Sequence, residues 1–393
     1  MKFFWILIAI LILCILEILR VYFIMPFPGS QKMDVVHLAY WLDQNIYWLR
    51  ILILLLIAIP TVNSLRATEG WKRALSILLV AAYGIVFYFF NFRFLAEKMF
   101  YQPKQINFTK VSSNKIPMDK LILGIDINGE SKAYPIQLIG YHHQVRDTVG
   151  GVPVMVTYCT VCRTGRIFNP LVKGKPETFR LVGMDHFNAM FEDASTKSWW
   201  RQVSGEAIAG PLRGTMLEEI PSRQMTLASW LSLYPESMIL QPDSAFQSEY
   251  DDLEGYDKGK LKSKLEKRDS LSWKQKSWIV GIQLDKTTKA YDWNELLAKK
   301  LIEDSLAGTP IILLVEKDSA SFHSLSRWVE NKSLHFVLDT SRIKMTDRET
   351  GSVWSLSGQC LAGPLSGTTL KPIRSSQEFW HSWKEFNPNT LKY

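Results

Sequence analysis

The strongest constraint on this chain is that its second half repeats its first. Gly124-Ile125, Lys132-Ala133-Tyr134 and Gly151-Val152-Pro153 return as Gly281-Ile282, Lys289-Ala290-Tyr291 and Gly308-Thr309-Pro310, always 157 residues later. Asp147 and Asp304 keep the same spacing. Farther on, with small gaps, Asp193-x-x-Thr196-x-Ser198-x-Trp200 parallels Asp347-x-x-Thr350-x-Ser352-x-Trp354. AGPLRGTML (Ala209–Leu217) parallels AGPLSGTTL (Ala362–Leu370), and Gln224, Trp230 and Pro235 parallel Gln377, Trp383 and Pro388. Ordered repetition of Gly, Pro and Trp implies one unit built twice. The expected units cover residues 111–240 and 278–393. Residues 241–277, charged and poor in large apolar side chains, read as an exposed linker.

One unit reads as follows. Leu121–Ile127 is a strand, Asn128-Gly129 a hairpin turn, and Ser131–Tyr134 the returning strand. Pro135 suits the start of a helix over Ile136–Val145, which Gly150-Gly151 would end. Val152–Tyr158, Gly165–Phe168, Thr178–Met184, Ala189–Glu192 and Trp199–Val203 are strands. Met225–Tyr234 is a short helix and Ser237–Leu240 a last strand. The expected class is α+β with mainly antiparallel sheets, because helices are too sparse for a doubly wound fold. The Gly and Pro of AGPLxGT suit tight turns, and no Lys-Ser/Thr pair follows them to make a phosphate loop.

Ahead of the repeats stand three apolar runs, approximately 3–25, 44–62 and 74–92, close to the 20 or so residues that cross a bilayer. The first is too long for a signal peptide and lacks a small-residue cleavage site. Glu17 and Arg20 interrupt it and are spaced to pair on one helix face. Arg66, Lys72 and Arg73 make the connection before the third run more positive than the connection before the second. That asymmetry predicts a cytoplasmic N-terminus, a cytoplasmic (inner) membrane location and an extracytoplasmic C-terminal region. The bilayer is then one partner and an unidentified extracytoplasmic protein another. A formal charge of +8 without a basic-aromatic motif argues against nucleic acid.

Candidate chemistry concentrates in His142–Phe168. His142 and His143 precede an apolar strand, then Cys159-x-x-Cys162, Arg163 and Arg166. Four cysteines are too few for a disulfide scaffold, and only Cys159 and Cys162 are spaced to act together. A thioredoxin-type pair opens a helix, whereas this one follows a strand and precedes another, as a metal knuckle does. Two thiolates supply half of a four-coordinate soft-metal site. His142, His143 and His186 are the candidate further ligands, and copper or zinc the candidate ions. Adjacent helical residues point roughly 100° apart, so His142 and His143 would not both face the pair. Arg163 and Arg166 would stabilise thiolates. At 157 residues further on stand Lys299, Lys300, Glu316 and Ser319, so the repeat keeps the scaffold and loses all four groups. The alternatives are a membrane-tethered thiol–disulfide protein and a non-catalytic binding scaffold. Trp199, Trp200 and Trp354 read as core aromatics. No Ser-His-Asp order or dinucleotide fingerprint is present, and no reaction follows from these residues.

The run KAYP…H-x4-DTVGG-x-P-x3-TYC-x2-C, with GMDHFNAMFED and SWWRQVSGEAIAGPL, resembles the bacterial family known as domain of unknown function 3179. The resemblance covers roughly Leu121–Leu240, with a degenerate copy beyond. The family pattern has one histidine at His142 and commonly an acidic residue at His143, which favours His142. It often has Pro-Leu where this chain has Thr160-Val161. The resemblance implies no activity.

Overall fold

A computed structural model describes residues 2–67 and 70–393. They form two compact units: Met1–Tyr101 with Leu171–Leu217, and Gln102–Pro170 with Glu218–Tyr393.

In the first unit, helices α1 (Lys2–Tyr22), α2 (Val36–Ala67) and α3 (Trp71–Phe92) each hold a stretch long and apolar enough to cross a membrane. Leu52, Leu55, Ile59, Leu78 and Ile85 lie exposed on them, as a lipid-facing surface requires. Helix α2 begins well before the expected residue 44, because the polar residues that interrupt its apolar run find partners. Asp43 accepts from Arg20 Nε at 3.0 Å, and Gln44 Nε2 donates to Glu192 Oε2 at 3.3 Å.

The expected Glu17–Arg20 pair does not form. Arg50 Nε and Nη2 each donate to a Glu17 carboxylate oxygen at 2.6 Å, and Asn91 Nδ2 donates to the same carboxylate at 3.0 Å. Arg20 turns to Asp43 and, through Nη1, to Asn91 Oδ1 at 2.8 Å. A guanidinium fork from a neighbouring helix satisfies both carboxylate oxygens at once. One network thus ties α1, α2 and α3 together. It continues through Asp43 to Arg180 (3.2 Å) and Glu192 (2.8 and 2.9 Å), in the meander of Phe179–Asp185, Asn188–Asp193, Trp199–Arg201 and Ala207–Ala209. There Asp193 collects the Thr196 amide, the Ser198 amide and Trp200 Nε1, and Trp199 Nε1 donates to Glu192. These tryptophans are buried, as core aromatics should be.

In the second unit, two sheets share one pattern. In the first, Leu121–Ile127 lies between its hairpin partner Glu130–Pro135 and antiparallel Arg223–Thr226, while Met238–Leu240 runs parallel to Glu130–Pro135. In the other, Trp278–Leu284 lies between Thr287–Asp292 and antiparallel Ser375–Phe379, while Leu391–Lys392 runs parallel to Thr287–Asp292. Gly124 and Gly281 occupy the central strands because nothing larger fits. A Cβ there would lie 2.4 Å from Trp230 and 2.2 Å from Trp383 respectively. The Lys-Ala-Tyr motif is structural: Tyr134 and Lys132 both donate to Asp147, and Tyr291 and Lys289 to Asp304.

Three expectations fail here for physical reasons. The helix over Ile136–Val145 stops at His142, because His143 adopts φ 59° and Gln144–Val149 is already a strand. Gly150-Gly151, at φ 54° and 79°, turns a hairpin into Val152–Cys159 instead of ending a helix. Residues 241–277 are also not an exposed linker throughout. Phe246, Tyr250 and Tyr256 are buried anchors, and Asp257 Oδ2 accepts from the Leu121 amide at 3.0 Å.

Candidate functional site

Cys159 closes the strand Val152–Cys159 and pairs with Thr164, the first residue of the strand Thr164–Phe168. Between them Thr160–Arg163 make a tight turn, with Arg163 at φ 59°. This turn brings the two thiols together: Cys162 is hydrogen-bonded to Cys159, and both are fully buried.

What surrounds the turn comes from distant sequence. The Phe379 amide donates to the Cys162 carbonyl at 3.0 Å, and the Ser382 hydroxyl bonds the Cys162 thiol. Lys276 Nζ donates to the Val161 carbonyl at 2.6 Å and lies 3.0 Å from His381 Nε2. Tyr256 donates to the Thr160 carbonyl at 2.9 Å, and Thr160 Oγ1 donates to Glu266 at 2.7 Å. The segment read as a linker therefore wraps the cysteine turn.

Burial sets the electrostatics. It pushes the Cys162 thiol well above its ordinary value, and the neighbouring Cys159 adds to that shift. Ser382 and the Lys276 ammonium pull in the opposite direction. Burial lowers Lys276, against the attraction of both thiols, Glu266 and Asp269. Burial, then Lys276, holds His381 at about 3. The pair is thus a buried dithiol, with burial opposing ionisation of Cys162 and the Lys276 side chain opposing that shift. A thiophilic cation could replace its protons.

The predicted histidines go elsewhere. His142 Nε2 lies 2.6 Å from the Tyr250 hydroxyl, with Tyr141 and Phe246 against its ring. His143 is buried, bonded to the backbone at Tyr158 and Gly140, and held at about 4 by desolvation. His186 belongs to the other compact unit, where its Nδ1 lies 2.8 Å from Asp185 Oδ1. Among the described residues, no three His, Cys, Asp or Glu side chains gather closely enough to hold a metal ion. The arginines also act otherwise than expected. Arg163 lies over the Tyr256 and Trp278 rings and donates Nε to Gln377 at 2.9 Å, while Arg166 pairs with Glu378. The cation that acts on Cys162 is Lys276.

The turn at Glu316–Ser321 makes an instructive contrast. Glu316 Oε1 accepts from Ser229 at 2.7 Å and lies 2.6 Å from His323 Nε2. Ser229 stands third in its helix, as Ser382 does in Trp380–Phe386. Glu316, at the register position of Cys159, thus pairs with His323, which stands where Arg166 stands, while Ser319 stands at the position of Cys162. Lys276, His381 and Ser382 carry no sequence signal beyond the register match of Ser382 to Ser229.

These features define a protein with three long apolar helices, compatible with a bilayer, joined to a region of several antiparallel sheets. The family described as "Protein of unknown function (DUF3179)" matches residues 102–390, and the chain belongs to it. No curated protein and no solved structure matches it.

Proposed function

We propose that this is a cytoplasmic-membrane protein whose extracytoplasmic region binds one soft metal ion, Cu(I), through Cys159 and Cys162. The contact between the two buried thiols carries this reading. Zinc prefers four ligands, and no third ligand gathers with the pair among the described residues. Copper(I) is thiophilic and accepts two thiolates alone. The Lys276 ammonium would offset part of the charge that two thiolates on one Cu(I) bring into a buried site. The region reads as two copies of one unit, of which only the first retains the thiols. The matching strand orders, with Glu316 and Ser319 at the register positions of the two thiols, support that reading. Arg66, Lys72 and Arg73 near the α2–α3 connection support a cytoplasmic N-terminus.

The same sulfur contact also suits a disulfide, but exchange with a partner requires access that full burial denies. The test is a Cu(I) competition titration with a chromogenic chelator, on reduced full-length protein in detergent. One equivalent should bind, and Cys159→Ser and Cys162→Ser should each abolish it. If both variants retain the native stoichiometry, the proposal is wrong. If the native protein takes no copper but its cysteines resist alkylation until reduced, the disulfide reading replaces it.

A further inference from the structure

A cavity of about 410 Å³ opens in the second compact unit, within the size range of small-molecule sites. Matching positions of the two similar sheets line it: Gly124 and Gly281, Trp230 and Trp383, Ser222 and Ser375. Each tryptophan lies against the glycine of its own central strand, and each indole N–H is anchored, Trp230 by Ser237 and Trp383 by Thr390.

The polar groups break this symmetry. At matching register positions Arg166 corresponds to His323, Arg223 to Ser376, and Asp126 to Gln283, and all six line the cavity. Three guanidiniums line the cavity, and two are already neutralised. Arg166 pairs with the buried Glu378 and donates to the Gly165 carbonyl at 2.9 Å, and Arg374 pairs with Glu219. Arg223 is different. It is half-buried in the strand Arg223–Thr226, its backbone opposite Gly124. Among the described residues its guanidinium has no side-chain acceptor. Asp126, the remaining carboxylate of the lining, is solvent-exposed. A guanidinium carries five donors in a fork that matches carboxylate and phosphate oxygens.

We propose that this cavity binds a small organic anion, with Arg223 receiving its carboxylate or phosphate group and uncharged lining residues such as Ser375 and Gln283 receiving its other end. The cavity is independent of the cysteine pair, and the inference does not rest on the copper proposal.

The test is isothermal titration of the full chain in detergent, in a buffer free of carboxylate and phosphate. Benzoate and phenyl phosphate are the probes, benzyl alcohol is the neutral control, and heats into protein-free micelles are subtracted. At least one anion should bind saturably at one per chain, and benzyl alcohol at least tenfold more weakly. The benzoate and phenyl phosphate arms decide which anion class fits. Arg223→Gln should weaken binding tenfold or more, and Gln283→Glu, which adds a carboxylate to the lining, should weaken it in the same direction. Cys159→Ser should leave it unchanged. No saturable binding of either anion, equal binding of benzyl alcohol, or unchanged affinity in both cavity variants overturns the proposal.

Discussion

Replacing Glu17 with leucine is the sharpest perturbation of the helical unit. Its carboxylate is fully buried and receives two Arg50 donors at 2.6 Å and Asn91 at 3.0 Å. Removing it leaves the Arg50 guanidinium charged and desolvated beside the ring of Phe87, 5.1 Å away. Breaking a buried pair from one side costs about 3–5 kcal/mol. Replacing both partners with apolar side chains is commonly near neutral. Glu17→Leu and Arg50→Leu should therefore each destabilise by about 3 kcal/mol or more. The double variant should cost no more than either single change, giving a coupling of about 3 kcal/mol or more. The assay is a double-mutant cycle on SDS-driven unfolding in mixed micelles. Additive losses, with coupling below about 0.5 kcal/mol, would show that the network does not hold the helices together.

Three further outcomes follow from the second unit. Gly124→Ala forces a Cβ to within 2.4 Å of the Trp230 ring and should cost about 1–3 kcal/mol, whereas Gly151→Ala meets open space and pays only for its positive φ, about 1 kcal/mol; thermal melts compare them. His143 is held at about 4, so as pH falls below about 6.5 the unfolded chain binds a proton that the native state refuses. Stability present above pH 6.5 should fall by about 1.4 kcal/mol per pH unit from His143 down to about pH 4, with a like loss from His381, and His143→Gln should make that limb shallower in pH-dependent melts. Tyr250→Phe removes the 2.6 Å contact with His142 Nε2 and should cost about 1–2 kcal/mol in chemical denaturation, with no change in copper stoichiometry.

Much of the architecture was legible because it rests on local signals. Apolar runs give long helices, and Asn128-Gly129 gives its hairpin whatever the rest of the chain does. The errors come where distant partners decide. Asp43 and Gln44 look like helix-run breakers until Arg20 and Glu192 receive them. Gly150-Gly151 can end a helix or turn a hairpin, and the early left-handed kink at His143 selects the second. Tyr250 and Tyr256 lie in a charged stretch, so composition alone hid their role as anchors. At the candidate site the thiol pair was readable from spacing. Its surroundings were not, since Lys276 and His381 reach the Val161 carbonyl across 115 and 220 residues. The histidines adjacent in sequence were drawn instead to Tyr250 and to the backbone.

Copper K-edge X-ray absorption on the Cu(I)-loaded full chain tests the central proposal most directly. A first shell of two sulfur atoms without imidazole scattering, lost in Cys159→Ser and unchanged in His142→Ala, is the predicted result. A shell containing imidazole nitrogen, or the same spectrum after both cysteines are replaced, contradicts it.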